Sequence, residues 1–215
     1  MPGAPGGKII DFLLQRAEVT TRVFKNRRGC QVPPYLYNKA VNMKTILVTG
    51  ATGYIGGRLI PLLLRRGYAV RALARRPAAL EGRPWSGSVE VFKGDVRSGE
   101  GLDRALSGAD YAYYLVHSMS DTEDFEDIEE RSAANFASAA RAAGVKRVVY
   151  LGGLGAEGKT LSRHLASRHR VGRVLKAQGP ETTELRAAVI VGAGSVSFEL
   201  IRYLVERLPV IPFPA

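Results

Sequence analysis

The stretch that decides the fold of this chain is TILVTGATGYIGG, residues 45–57. It opens with an uninterrupted apolar run, residues 46–48, which is typical of a strand buried on both faces in a parallel sheet. Glycines then recur at three-residue spacing, and an apolar helical pattern begins at Leu59. A strand, a glycine turn and a helix in this order place the positive end of the helix where the phosphates of a dinucleotide can bind.

The three glycines have separate roles in a turn of this kind. Gly50 permits the tight turn, Gly53 lets the backbone approach a phosphate without a Cβ between them, and Gly56 lets the helix pack closely on the strand. We therefore predict cofactor contacts along the turn and the first helical turn. The predicted contact residues are Gly50, Thr52, Gly53, Tyr54, Ile55 and Gly56. An ordinary strand-to-helix turn is the alternative.

The spacing Gly-x-x-Gly-x-x-Gly, with Thr49 directly before the first glycine, resembles the short-chain dehydrogenase/reductase superfamily. The resemblance runs from Met43 to the C-terminus. It is to the extended and atypical branches, which include nucleoside-diphosphate-sugar epimerases and the nitrogen-metabolite-repression type of cofactor sensor. The resemblance implies a Rossmann fold that binds NAD(P)H. Members of these branches are longer, so it also implies that the C-terminal substrate region is largely missing from the 215 residues.

Strand and helix patterns alternate along the rest of the chain. We predict six strands, over residues 46–48, 68–74, 89–92, 111–116, 145–151 and 185–191. Helical patterns occupy residues 57–66, a short segment from Leu102, a longer segment from Phe125 to before Gly144, and residues 161–177. This succession predicts an α/β protein with a doubly wound parallel sheet.

Residues 1–42 differ in composition from the remainder of the chain. Residues 1–7 are rich in proline and glycine, and Pro33-Pro34 interrupts the segment before Met43. We expect an N-terminal extension that is disordered or partly helical, followed by an NAD(P)-binding Rossmann domain over residues 43–215. Met43 is our expected natural start. An organelle-targeting peptide is the alternative, because the extension is basic and poor in acidic residues.

Composition excludes several classes of function. The chain has one cysteine, Cys30, so it cannot form an internal disulfide, and it has no apolar run of the roughly 20 residues that a transmembrane helix needs. We therefore predict a cytoplasmic protein without a transmembrane segment. The net charge is +11, but the basic residues are scattered around an acidic run at residues 121–130. We expect a solvated basic surface and no nucleic-acid partner.

The acidic run itself is typical of a solvated helix start, where carboxylates favour the positive helix end. Its carboxylates have no His or Cys beside them, so we predict no metal site.

Two arginines, Arg75 and Arg76, follow the second strand at the place where an Asp or Glu would bind the ribose 2′-hydroxyl of NAD. Guanidinium groups suit a 2′-phosphate, which accepts bidentate hydrogen bonds. We therefore predict NADP(H) as the preferred cofactor, with NAD(H) possible. A solvated basic turn is the alternative. The resemblance further implies that Asp95 binds the adenine amino group and that Val96 packs on the ring, whereas a plain turn aspartate needs no such role.

The ends of the fourth and fifth strands should also face the cofactor, because ligands bind at the carboxyl ends of parallel strands. At the fourth strand the side chain of interest is His117, with a loop histidine without a role as the alternative. At the fifth strand, Gly152 and Gly153 stand where the superfamily has a catalytic Ser. We predict that these two glycines present backbone to the cofactor and leave room for the nicotinamide.

The superfamily's Tyr-x-x-x-Lys is replaced here by His164-x-x-x-Arg168. An imidazole can move a proton near neutral pH. A guanidinium stays protonated, but it can hold a ribose or a phosphate. We therefore predict catalytic roles for His164 and Arg168, with a helix-surface position as the alternative for His164.

Three functions are compatible with these residues. The first is an NADP-dependent oxidoreductase of unknown small-molecule substrate that lacks the standard Ser and Tyr-x-x-x-Lys. The second is a non-catalytic NADP(H)-binding sensor or assembly protein with a protein partner, which the loss of those residues favours. A nucleotide-sugar epimerase or dehydratase ranks last, because it also needs the Tyr and the Lys.

Overall fold

The computed structural model describes residues 43–117, 124–155 and 161–208. The expected extension, residues 1–42, lies outside them, as do residues 121–123 of the acidic run. Within the described part, residues 43–188 belong to one compact unit and residues 189–208 to another.

The larger unit is built on a six-stranded sheet in which every neighbouring pair of strands is parallel. Its strands are β1 Thr45–Thr49, β2 Ala69–Ala74, β3 Glu90–Lys93, β4 Tyr111–Tyr114, β5 Arg147–Gly153 and β6 Glu181–Ala187. The order across the sheet is β3-β2-β1-β4-β5-β6. It reverses between β1 and β4, which is the switch point at which doubly wound sheets bind ligands. The predicted fold class is confirmed.

Four helices connect the strands. They are α1 Tyr54–Arg65, α2 Leu102–Leu106, α3 Phe125–Ala142 and α4 Arg163–Gln178. Two single 3₁₀ turns, Pro77–Leu80 and Ser86–Ser88, lie between β2 and β3. The first helix begins at Tyr54 rather than at residue 57, so Gly56 and Gly57 lie inside it. None of the described helices combines the length and the apolar character that crossing a membrane requires.

The core forms where α2, α3 and α4 pack on the sheet. The β1 side chains Leu47 and Val48 are fully buried, as a central parallel strand requires. Small residues on α3 bring the helix close to the strands, and between them Phe136 packs on Tyr114 with ring centroids 4.9 Å apart. The carboxyl ends of β4 and β5 therefore lie on a rigid, aromatic layer.

The amino ends of three strands meet at Asp110. Its carboxylate accepts hydrogen bonds from the Thr45 backbone N–H at 3.0 Å and from Lys146 Nζ at 2.7 Å, and Lys44 Nζ lies 3.3 Å away. Its own backbone N–H donates to the Thr45 carbonyl at 2.8 Å. Burial alone would raise the pKa of Asp110, but these hydrogen bonds outweigh it and hold the pKa below its usual range. Asp110 thus ties β1, β4 and β5 together at one edge.

The predicted position of the sixth strand, residues 185–191, was wrong by four residues. It begins at Glu181, directly after Gly179-Pro180 ends α4, rather than at residue 185. Of the apolar residues that suggested the later start, Leu185 and Ala187 lie in the second half of the strand and residues 188–191 lie beyond it, where Val189 is 67% exposed. As an edge strand, β6 is held by pairs such as Arg147 Nη2 to Glu181 Oε1, at 2.6 Å, rather than by an apolar run.

The smaller unit contains a helix that the sequence patterns did not predict, α5 Val196–Arg207. It begins at Ser195, whose Oγ accepts a hydrogen bond from the Phe198 backbone N–H at 3.2 Å. This is an ordinary N-cap. Several large apolar side chains of α5, among them Leu200 and Ile201, are exposed.

Candidate functional site

A cleft of about 710 Å³ opens at the carboxyl ends of the strands. It runs from the loops after β2 and β3, past the turn after β1, to the facing sides of α3 and α4. This is the edge of the sheet opposite Asp110. Its position agrees with the general rule for ligands in open parallel sheets.

The turn after β1 cannot be built without glycines. Gly50 has a φ of 71°, and a Cβ there would lie 2.7 Å from the Leu115 carbonyl oxygen. A Cβ on Gly56 would overlap the Gly50 carbonyl and lie 2.9 Å from the Ala51 Cα. The turn is closed by a hydrogen bond from the Gly53 N–H to the Gly50 carbonyl at 3.0 Å. Gly50 therefore supplies the positive φ of the turn, and Gly56 lets α1 lie against Gly50 and Ala51. The contact of either residue with a cofactor stays a prediction.

The N-terminus of α1 fits a phosphate group. Its N-cap residue is Gly53, which has no side chain to cap the helix, and its first turn has no acidic residue. The first N–H groups of a helix carry a partial positive charge that favours an anion. Gly53 and Thr52 line the cleft, so this end of the helix faces the cavity. The donors present thus suit the pyrophosphate of a dinucleotide.

The predicted turn residues divide into two groups. Gly50, Thr52 and Gly53 line the cleft, whereas Tyr54, Ile55 and Gly56 lie in the first turn of α1 without lining it. Two residues that sequence reasoning missed brace this turn. Arg83 Nη2 donates to the Thr52 carbonyl at 3.0 Å, and Trp85 Nε1 donates to the Gly57 carbonyl at 3.2 Å. No sequence pattern predicts either contact, because Arg83 and Trp85 lie in the loop between β2 and β3, about 30 residues after the turn that they contact.

The loops after β2 and β3 form one end of the cleft. Arg75 and Arg76 are exposed there, and Asp95 and Val96 line the same end. The Asp95 carboxylate accepts a hydrogen bond from the Arg97 backbone N–H at 2.9 Å, which fixes the loop. This end therefore combines two exposed guanidinium groups, which we predicted for a 2′-phosphate, with the Asp95 carboxylate and the Val96 side chain, which the resemblance implies for the adenine.

The other end of the cleft is formed by Tyr150 and Arg168. The Tyr150 hydroxyl donates to the Arg168 carbonyl at 2.9 Å, and the Arg168 guanidinium donates to the Leu151 carbonyl. Burial raises the pKa of Tyr150 to about 12, although the positive charge of Arg168 opposes this. A hydroxyl that is bonded to the backbone and hard to ionise is a poor replacement for the superfamily's catalytic tyrosine.

Two histidines come together beside this end. His117 lines the cleft, and its ring centroid lies 6.4 Å from that of His164. His164 does not line the cleft and packs between His117 and Phe125. Partial desolvation and then the charge of Arg168 hold the pKa of His117 below its usual range. The predicted residues His117, His164 and Arg168 are thus neighbours, but the imidazole that faces the cavity is that of His117.

Gly152 and Gly153 are buried and do not line the cleft. A Cβ on Gly152 would lie 2.7 Å from Glu184 Oε1, and one on Gly153 would overlap the Leu165 side chain. Packing against β6 and α4 therefore explains why both positions lack a side chain. Their contact with a cofactor stays a prediction.

Glu129 is a third residue of this site that sequence reasoning missed. It lies in the second half of the acidic run, yet it is only 5% exposed and lines the cleft. Ser167 Oγ donates to Glu129 Oε2 at 2.6 Å. A signal was present: Glu129 stands four residues after Phe125, on the same apolar stripe of α3. Among the described residues, no group of three or more His, Cys, Asp or Glu side chains is placed to hold a metal ion.

Comparison with known proteins identifies the family. Residues 50–191 match the family model described as NAD(P)H-binding. The chain is similar to the triphenylmethane reductase of Citrobacter sp., solved in complex with NADP(H), with a TM-score of 0.61 and 27% identity over 75% of this chain and 55% of that one. The chain therefore belongs to the NAD(P)H-binding family, within the short-chain dehydrogenase/reductase superfamily, and the predicted membership is confirmed.

Two curated relatives are named as a ceramide reductase and a sterol demethylase protein. A ceramide reductase from Caulobacter vibrioides is 31% identical over 171 residues, which cover 78% of this chain and 53% of the relative. Sterol demethylase protein B from Methylococcus capsulatus is 38% identical over 121 residues, covering 53% of this chain and 36% of the relative. The chain spans between about a third and a half of the length of these relatives.

Proposed function

We propose that this protein is an NADPH-dependent oxidoreductase that acts on a small organic molecule. The observation that carries the proposal is the extent of the cleft. It does not end at the phosphate-binding turn but continues to His117, Tyr150 and Arg168, which leaves space for a reactive cofactor half beyond the adenosine.

The preference for the phosphorylated cofactor rests on Arg75 and Arg76. Both are exposed at the end of β2, and both line the cleft. The sequence has no Asp or Glu there to bind a ribose 2′-hydroxyl. Two guanidinium groups can surround a 2′-phosphate, whereas the unphosphorylated ribose of NADH gives them nothing to neutralise. The family membership supports dinucleotide binding as such, and the arginines support the choice of NADPH.

The proposed chemistry needs a hydride and a proton. Bound NADPH would supply the hydride. The imidazole pair His117 and His164 would supply the proton, since His117 reaches the cavity and His164 packs against it. Arg168 stays protonated and would hold an anionic or hydroxyl-bearing group at the same end. The chain's own residues thus orient the reactants and deliver one proton.

A second candidate is a sensor that binds NADP(H) without turnover. It is favoured by Tyr150, whose hydroxyl is bonded to the Arg168 carbonyl and whose pKa is raised to about 12 by burial. With His164 and Arg168 in place of the Tyr-x-x-x-Lys, the usual acid of the superfamily is lacking. A sensor would need the cleft for binding but no proton donor.

Titration of the full-length protein with NADPH and with NADH, followed by calorimetry, tests the proposal. The same protein is then mixed with NADPH and a panel of ketones, aldehydes and triphenylmethane dyes while the absorbance of NADPH is followed. NADPH-selective binding and substrate-dependent oxidation support the oxidoreductase. Selective binding without oxidation of NADPH by any compound favours the sensor. Binding of neither nucleotide overturns both candidates.

A further inference from the structure

Glu129 is a buried carboxylate that the proposed function does not use. It is 5% exposed, lines the cleft from α3, and accepts a hydrogen bond of 2.6 Å from Ser167 of α4. Removing a carboxylate from water is costly unless hydrogen bonds replace its hydration. A carboxylate offers about four lone-pair sites, so it can accept hydrogen bonds from a ligand in the cleft in addition to the partners that it has within the protein.

The chemistry around Glu129 defines the ligand group that it would accept. A negative carboxylate repels a phosphate and attracts hydrogen-bond donors. The cleft wall also includes Tyr114 and Tyr150, whose rings are 6.0 Å apart. Burial raises the pKa of both hydroxyls, and the charge of Glu129, which both experience, raises the pKa of each further. Hydroxyl groups carried on a ring that packs against this wall are the donors that fit such a site.

The place of Glu129 in the cleft decides which hydroxyls these are. In the proposed binding mode, the adenosine lies at the end of the cleft lined by Arg75, Arg76 and Asp95, and the pyrophosphate lies at the N-terminus of α1. Glu129 lies at the end beyond that turn: it lines the cleft together with Arg168 and Tyr150. Besides burial, the charges of Arg168 and Glu129 both act on the Tyr150 hydroxyl and shift its pKa in opposite directions. In a dinucleotide, the part beyond the pyrophosphate is the nicotinamide with its ribose, which bears two hydroxyl groups.

We propose that Glu129, oriented by Ser167, binds the ribose hydroxyls of the nicotinamide half of the cofactor. The superfamily's lysine is replaced by Arg168, whose guanidinium also donates to the Leu151 carbonyl. Glu129 would add an acceptor for the ribose hydroxyls, which neither a lysine nor an arginine can supply. The inference rests on the proposed function only in that NADPH binds, and it does not require turnover.

The test compares two probes on the variant Glu129→Gln of the full-length protein. NADPH carries the nicotinamide ribose, and 2′,5′-ADP carries only the adenosine end. We expect the variant to bind NADPH about tenfold more weakly than the unaltered protein, because hydrogen bonds to a charged group are roughly twice as strong as neutral ones. Binding of 2′,5′-ADP should be unchanged.

Glu130→Gln is the matched control. Glu130 is the next residue of α3, exposed, and its change removes the same charge, so both probes should keep their affinity. Ser167→Ala is a second variant, which should weaken NADPH binding by a smaller factor and spare 2′,5′-ADP. It tests the proposal even if Glu129→Gln does not fold.

Two results would overturn the inference while leaving NADPH binding intact. One is an unchanged NADPH affinity in Glu129→Gln. The other is an equal loss of affinity for NADPH and for 2′,5′-ADP in Glu129→Gln and in Ser167→Ala. That result would mean that Glu129 and Ser167 maintain the shape of the whole cleft and do not bind the nicotinamide ribose. If the unaltered protein bound neither probe, the proposed function itself would fail.

Discussion

The imidazole rings of His117 and His164 lie edge to face, with their centroids 6.4 Å apart. His117 follows β4, and His164 stands in the first turn of α4, so the contact joins two elements that meet only in the folded chain. The ring of His164 is also stacked on Phe125 at 6.4 Å. This arrangement makes His117 the imidazole that faces the cleft and His164 the one that supports it.

We expect the two histidines to act as a unit in turnover. Changing either His117 or His164 to Ala in the full-length protein should lower the rate of substrate-dependent NADPH oxidation by about 100-fold, which is the usual contribution of a general acid. The affinity for NADPH should stay the same, and the double variant should be little slower than the single ones, because contacting residues are not additive. Steady-state kinetics and calorimetry provide the two readouts.

The control for this prediction is Arg173→Ala, an exposed position farther along the same helix, which should leave the rate unchanged. His164 is itself exposed on α4, and unaltered turnover in His164→Ala would mean that it is only a surface residue with no part in proton transfer.

The arginine pair gives a second prediction. Changing Arg75 and Arg76 together to Ala should weaken NADPH binding by about 10- to 100-fold, since each charge-assisted hydrogen bond to the 2′-phosphate is worth roughly 1.5–3 kcal/mol and the exposed site is partly screened. NADH binding should hardly change. Arg104→Ala, exposed on α2, is the control. An equal loss for both nucleotides would contradict the assignment of the 2′-phosphate to these residues.

Adjacent glycines in α1 allow a third, paired prediction. Gly56→Ala should destabilise the fold by about 1–3 kcal/mol, because its Cβ would meet the backbone of Gly50 and Ala51, which cannot move aside. Gly57→Ala should be neutral or stabilising by up to about 1 kcal/mol. There the Cβ would lie 3.3 Å from Nη1 of Arg83, the end of a flexible side chain. Urea unfolding of both variants gives the comparison, and equal stabilities would contradict the close packing of α1 on the turn.

These glycines also mark what sequence alone could predict. The strand, turn and helix around Gly50 are local, so their pattern is visible in consecutive residues. The start of β6 could not be predicted in this way, because an edge strand needs no apolar run. Glu181 joins the sheet through its pairing with Arg147, which is distant in sequence. The burial of Glu129 likewise depends on how α3 packs against α4. We interpreted the acidic run as solvated because nothing near it in the sequence shows that Ser167 of α4 donates a hydrogen bond to Glu129.

A fourth prediction concerns Asp110 and pH. Because its folded-state pKa lies below the usual range, its carboxylate contributes stability above the unfolded pKa of about 3.9, and this contribution is lost as the pH falls through the lower folded value. Asp110→Asn should therefore cost about 1 kcal/mol at pH 7. The difference from the unaltered protein should vanish in strong acid.

Urea unfolding at pH 7 and at low pH measures this difference, with Glu100→Gln, an exposed carboxylate, as the control. A difference that is the same at both pH values would mean that the ionised form of Asp110 does not carry the effect.

The tie at Asp110 has a consequence for how such a protein can diversify. It fastens three strands at the edge away from the cleft, so their register there does not depend on the loops that line the cleft. Substitutions there can alter which molecule is accepted while the framework persists. Random mutagenesis of the cleft loops that spares the glycine turn after β1 would therefore explore new ligands on a scaffold whose strands stay fastened at Asp110.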